Sequence, residues 1–299
     1  MQTVAEAVSK RIEDLRGLLR EFLLERSGDL RDVNKPSDSI VFVGPHYAWG
    51  DLDQEGRRLQ SRLLDEYRRL AALIRALLKT LPAEGARRLD QAQSDLEELI
   101  DQSHLTWVKT REEAFAKAEQ ALDAQLELIE HLHDPLEGDP IYVPDTNALA
   151  WNPDLETWRF DGVRRFTLIL TATVLGELDR LKVEHRSPDF RAKAEGVINR
   201  IKSYRARGPL SKGVVLRRHV STLRAIAIEP QVEGTLPWLD PENNDDRILA
   251  SLIEVMRQHP RTPVILVTLD INLQNKAEYA GLPFVEPPDP PNTKAARAN

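Results

Sequence analysis

Asp145 closes the apolar run "IYVP", and Asp270 closes the run "VILVTL". Glu177 follows "LILTAT" by a few residues, and Asp245 and Asp246 open the stretch "DDRILASLIEVMRQH". Each has an ordinary explanation when taken singly. An aspartate before a helix caps its first turn and complements its dipole, and Glu177 alone reads as a solvent-facing helix residue. As a set they fall at strand ends and helix starts, and in an open parallel sheet those ends line one crevice. Like charges crowded together either take up protons or bind a cation. The chain has no cysteine, so disulfides, thiolate zinc sites and cysteine nucleophiles are excluded. With no histidine near these positions, the cation that fits is a hard, oxygen-ligated ion, Mg²⁺ or Mn²⁺.

The elements that must carry these carboxylates change character near residue 140. Before it the pattern is helical. Ile12, Leu15, Leu18, Leu19, Phe22 and Leu23 give an amphipathic helix over residues 5–28, and Leu59 to Leu78 give another over 52–81. Between them lies a Gly/Pro connector with a short extended piece at "SIVFVG". Residues 84–132 hold no Pro or Gly after Gly85, long enough for one helix of about 45 residues and some 65–70 Å. The expected first domain, residues 1–138, is therefore a helical hairpin, bundle or coiled-coil-like arm, with room for homo-oligomerisation through it. "HLHDPLEGDP" stops the pattern, and His131 and His133 read as cations at a helix C-terminus rather than as a metal clip.

After residue 139 strands alternate with helices: "IYVP", "RFTLILTAT", "AIAIEP", "TPVILVTLD" and "LPFVEP" as strands, with helices between, including a basic one over 188–205. That rhythm predicts a parallel sheet covered by helices, a second domain over 139–287, and a disordered tail over 288–299. Trp151, Trp158 and Trp238 read as packing anchors.

The net charge of −7 hides a split. Residues 1–140 carry 19 basic and 28 acidic residues, whereas residues 141–299 carry 22 and 20. Between Arg180 and Arg224 stand 13 basic against 3 acidic residues. Local charge decides where a polyanion docks. Lys182, Arg186, Arg191, Lys193, Arg200, Lys202 and Arg205, with Lys276 beside the last acidic motif, are the candidate phosphate contacts, and Tyr204 is a candidate base platform.

"VPDTNALA", "TATVLGELDRLK", "NNDDRILASLIE" and "LVTLDINLQNKAEYAGLPF", in that order, resemble the four motifs of PIN-domain ribonucleases, closest to the larger PhoH-associated and RNA-surveillance type. The resemblance covers about residues 140–287. It implies a Rossmann-like α/β/α sandwich, Mg²⁺ or Mn²⁺ held by acidic residues, and endonucleolytic cleavage of single-stranded RNA. Position by position, Asp145, Glu177, Asp245 and Asp270 match the acidic set, with Asp246 an alternative to Asp245 one residue away. Thr146, Asn147, Thr268 and Asn272 match the small polar residues that support such a site. The metal ligands implied are Asp145, Asp245 and Asp270, joined by Glu177 as ligand or water-orienter. A bound divalent ion would activate water for in-line attack, leaving a 5′-phosphate and a 3′-hydroxyl.

Two other classes stay open. A haloacid-dehalogenase-like phosphatase also starts from a strand-end aspartate, but it wants a second one two residues on, where this chain has Asn147. A non-catalytic scaffold could use the same fold to bind RNA or a partner. No apolar run approaches a membrane span and the N-terminus lacks an apolar signal core. A cytoplasmic protein is the expectation, with room for a protein regulator.

Overall fold

The structure is a computed structural model that describes residues 3–34, 44–133, 138–184 and 186–291. The chain divides into two compact units, one made by Ala5–Asp134 and the other by the rest.

The first unit is helical. Helix α1 (Val4–Arg20) runs on into a π-helical turn, Glu21–Arg26, and two-residue strands β1 (Arg31–Asp32) and β2 (Tyr47–Ala48) pair antiparallel. Helix α2 (Gln54–Leu77) starts on Asp53, whose side chain accepts from the Gly56 N–H at 2.6 Å. Then come α3 (Ala83–Asp101) and α4 (Arg111–His133). Apolar residues at helical spacing, among them Leu63, Leu70, Ile74, Leu96, Ile100 and Leu122, are buried. One polar network sits among them: buried Gln125 donates to the Tyr67 hydroxyl at 3.2 Å and to the Ala121 carbonyl at 3.1 Å.

The single long helix expected over 84–132 is two helices. Gln102 takes a left-handed conformation (φ 56°) and ends α3. Thr110 then opens α4 by accepting from the Glu113 N–H at 3.1 Å. A threonine followed three residues later by a glutamate is a helix-start signature, and short polar side chains such as Ser103, Thr106 and Thr110 offer the backbone competing bonds. The "SIVFVG" piece, apart from Gly44, and the side chains of His131 and His133 lie outside the described residues.

The second unit carries a six-stranded sheet: β3 (Ile141–Pro144), β4 (Phe166–Leu170), β5 (Val214–Arg217), β6 (Ser221–Ala225), β7 (Val264–Val267) and β8 (Phe284–Val285). The strand order is β5-β6-β4-β3-β7-β8, parallel throughout except for the β5–β6 hairpin at one edge. The helices are α5 (Thr146–Trp151), α6 (Ala172–Glu184), α7 (Pro188–Arg205), α8 (Asn244–Gln258) and α9 (Ile271–Ala280). Helix α6 packs against α7 and also meets α8, where the Thr173 and Ser251 hydroxyls lie 3.3 Å apart. Strands β3 and β7 are buried at every residue, as central strands covered on both faces must be.

Two details depart from expectation. The strand assigned to "AIAIEP" lies earlier, at "STLRA", because it pairs with the alternating run "VVLR" as a hairpin. The start of the expected tail is pinned, since the Asn152 side chain donates to the Pro288 carbonyl at 3.1 Å. Residues 292–299 lie outside the described residues.

Candidate functional site

The chain leaves β3 toward β4 on one side and later returns to β7 on the other. The gap between β3 and β7 is thus the topological switch point, where open α/β sheets bind ligands. Asp145 follows β3 directly, with its N–H bonded to the Val267 carbonyl of β7 at 3.0 Å. Asp270 follows β7. Both aspartates do cap their helices. Asp145 Oδ1 accepts from the Ala148 N–H at 2.6 Å, and Asp270 Oδ1 accepts from the N–H groups of Asn272 at 2.8 Å and Leu273 at 3.3 Å. Capping uses one oxygen of each carboxylate, and the other accepts from a side chain of a different element.

Glu177 comes from the second turn of α6 and Asp245 from the first turn of α8, whose start is fixed by the Asn243 side chain accepting from the Asp245 and Asp246 N–H groups. Each of the four carboxylates has a hydroxyl or amide donor from another element. Thr268 donates to Asp145 Oδ2, Thr146 to Glu177 Oε2 at 2.6 Å, Asn147 to Asp270 Oδ2 at 3.5 Å, and Asn272 to Asp245 Oδ2 at 3.2 Å. These donors are the four supporting residues named from sequence. A fifth was not: Asn244, which donates to Glu177 Oε1 at 3.2 Å.

The four carboxylates also act on one another. Burial drives the Asp145 carboxyl up to about 7, the Thr268 and Ala148 bonds oppose that rise, and the charges of Asp270 and Glu177 add to it. Burial likewise raises Asp245, with Lys276 opposing and Asp270 and Glu177 reinforcing. At neutral pH Asp145 is therefore poised between its protonated and charged forms, and a cation would tip it to the charged one.

Asp246, one residue from Asp245, has different partners. It is buried, Oδ1 is 2.7 Å from Lys276 Nζ, and Oδ2 accepts from the Asp240 N–H at 3.0 Å. Among the described residues no three acidic or histidine side chains are arranged tightly enough to hold a metal ion as they stand. The donor set itself suits a hard divalent ion, being all carboxylate oxygen around a buried Asp145 that has no cationic partner in direct contact among the described residues.

Several of the basic candidates are engaged in ion pairs. Lys182 pairs with Asp179 at 2.5 Å, Arg200 with Asp154 at 3.3 Å, and Lys276 with the acidic pair above. Arg186, Lys193, Lys202 and Arg205 are exposed, and Arg191 is half-buried. Tyr204 is buried, with the Arg207 guanidinium 5.1 Å from its ring centre, so it offers no stacking face to a base. Trp158 is fully buried, donating its indole N–H to the Asn152 carbonyl at 2.9 Å. Trp238 is only partly covered, edge-on to Tyr279.

A family model described as a PIN domain matches residues 142–286. This span, close to half the chain, is a PIN domain, preceded by the helical unit. PIN domains are generally nucleases and typically use divalent metal ions, which places this fold in the hydrolase class at a coarse level. No curated protein matches the chain. No helix among the described residues is long and apolar enough to cross a membrane.

Proposed function

We propose that the protein is a metal-dependent endoribonuclease acting on single-stranded RNA. The observation that carries the reading is Asp145: a buried carboxyl at the switch point, pushed up to about 7 by burial and by the neighbouring charges of Asp270 and Glu177. Such a group is unstable as a lone anion and suits a cation's ligand. Asp145, Asp245 and Asp270 would hold Mg²⁺ or Mn²⁺, with Glu177 as ligand or orienter of the attacking water. When bound, the ion supplies activated water and neutralises charge on the phosphate. The chain's own residues do the positioning. Thr268 orients Asp145, Thr146 and Asn244 orient Glu177, and Asn147 and Asn272 hold Asp270 and Asp245.

Phosphate contacts would come from the exposed cations Arg186, Lys193, Lys202 and Arg205, which carry no sequence preference of their own. The geometry favours Asp245 over Asp246 as a ligand, because Asp246 already has a lysine and a backbone N–H. Cytoplasmic placement, a homo-oligomer through the helical unit and a protein regulator remain parts of this proposal that rest on sequence alone.

The test is cleavage of a labelled single-stranded RNA by wild type and Asp145→Asn, side by side in Mn²⁺, Mg²⁺ or EDTA. Cutting that needs both the metal and Asp145 supports the reading. Well-folded wild type that cuts none of several RNAs in either metal would sink it in favour of a binding scaffold.

A further inference from the structure

Lys276 stands against the acidic rim, and its surroundings are not those of a phosphate-binding side chain. Its Nζ lies 2.7 Å from Asp246 Oδ1 and 3.8 Å from Asp245 Oδ2, with its side chain only 22% exposed. Asp246 is more buried still, and the Asp240 N–H holds its second oxygen. Removing one partner of a buried ion pair leaves an uncompensated charge, so this ammonium stays where it is. Asn272, one turn earlier on α9, donates to the same Asp245 oxygen that Lys276 approaches. Residues four apart on a helix share a face, and this face of α9 is spent on Asp245.

We propose that Lys276, anchored by Asp246, is a built-in monovalent counter-cation for the Asp245 end of the crevice, so that the crevice takes one divalent ion rather than a pair. Two-metal phosphodiesterases place a second dication within the same carboxylate set. Here a fixed ammonium already sits 3.8 Å from Asp245 Oδ2, the oxygen a second ion would need, while Oδ1 is left to the single ion, and like charges at that range repel. Asp246 is then the lysine's anchor and not a ligand, which gives the adjacent aspartates of "NNDD" separate tasks. Both residues are positioning residues.

The inference rests on the metal-dependent reading above, and metal stoichiometry separates the two. Mn²⁺ binding to the full chain, without RNA, is measured by calorimetry for wild type, Lys276→Arg, and the double variant Asp246→Asn with Lys276→Gln. The double variant replaces the ion pair by a neutral amide pair and so avoids stranding a buried charge, and thermal melting checks that it folds. Expected are one ion per chain for wild type and Lys276→Arg, and two for the double variant. Two ions in wild type, or one ion of unchanged affinity in all three, would overturn this inference while leaving metal dependence intact. No ion in wild type would overturn both.

Discussion

The hydroxyl of Thr268 donates to Asp145 Oδ2 and accepts from the Asp270 N–H at 2.9 Å, so one buried side chain ties the Asp145 carboxylate to the Asp270 backbone at the ends of neighbouring strands. Replacing it with valine keeps the shape and removes both bonds. Leaving a buried donor unpaired costs about 1–3 kcal/mol. Thr268→Val should lower the urea midpoint accordingly, and Thr268→Ser should recover most of it. A valine variant as stable as wild type would mean that the hydroxyl orients nothing.

The raised Asp145 carboxyl has a thermodynamic consequence. Its folded value of about 7 lies above the ordinary 3.8, so between these the folded chain keeps a proton that the unfolded chain has lost. The contribution is fully present below about pH 4 and is lost as pH rises through about 7. At roughly 1.4 kcal/mol per pH unit it is on the order of 4 kcal/mol. In EDTA, wild type minus Asp145→Asn stability should fall across that window and be flat above it, leaving the variant more stable at pH 8. A difference that does not change between pH 4 and pH 8 would contradict the buried-charge account.

Cation binding must displace the same proton. Mn²⁺ affinity should therefore fall about tenfold for each pH unit below 7, and Asp145→Asn should lose both the affinity and most of the slope. Titration at pH 5.5, 6.5 and 7.5 reads this directly. Affinity independent of pH over that range would place the ion away from Asp145.

The exposed cations of α7 predict a salt-dependent RNA contact. The triple variant Lys193→Glu, Lys202→Glu and Arg205→Glu, made on an Asp145→Asn background, should weaken single-stranded RNA binding at least tenfold and flatten its dependence on salt. Fluorescence anisotropy at several salt concentrations measures both. An unchanged slope would move the phosphate track to another face.

Much of the second unit was legible because its signals are local. Apolar runs that end on a carboxylate, each followed by a helix, mark strand ends, and strand ends of a parallel sheet lie on one edge whatever their distance in sequence. Asp145 and Asp270 could be brought together that way, and the small polar residues beside them followed. The hairpin edge was misplaced because "VVLR" and "STLRA" become strands by pairing with each other, which neither run records alone. The break at Gln102 had its clue in Thr110 and Glu113, a helix start hidden inside an uninterrupted helical composition.

What the sequence determined by itself is the set of acidic and amide residues and the alternation of elements that carries them, since both depend on neighbours along the chain. What only the tertiary structure decided is how adjacent residues divide their work. Asp245 and Asp246 differ by one residue, but successive positions on a helix point about 100° apart. One therefore faces the crevice, and the other is buried against Lys276 and the Asp240 N–H. Tyr204 was drawn into the core for the same reason, while Lys202 and Arg205 on the same helix stayed in solvent. Which face of a helix is covered depends on the elements packed against it, and that is settled only when the chain has folded.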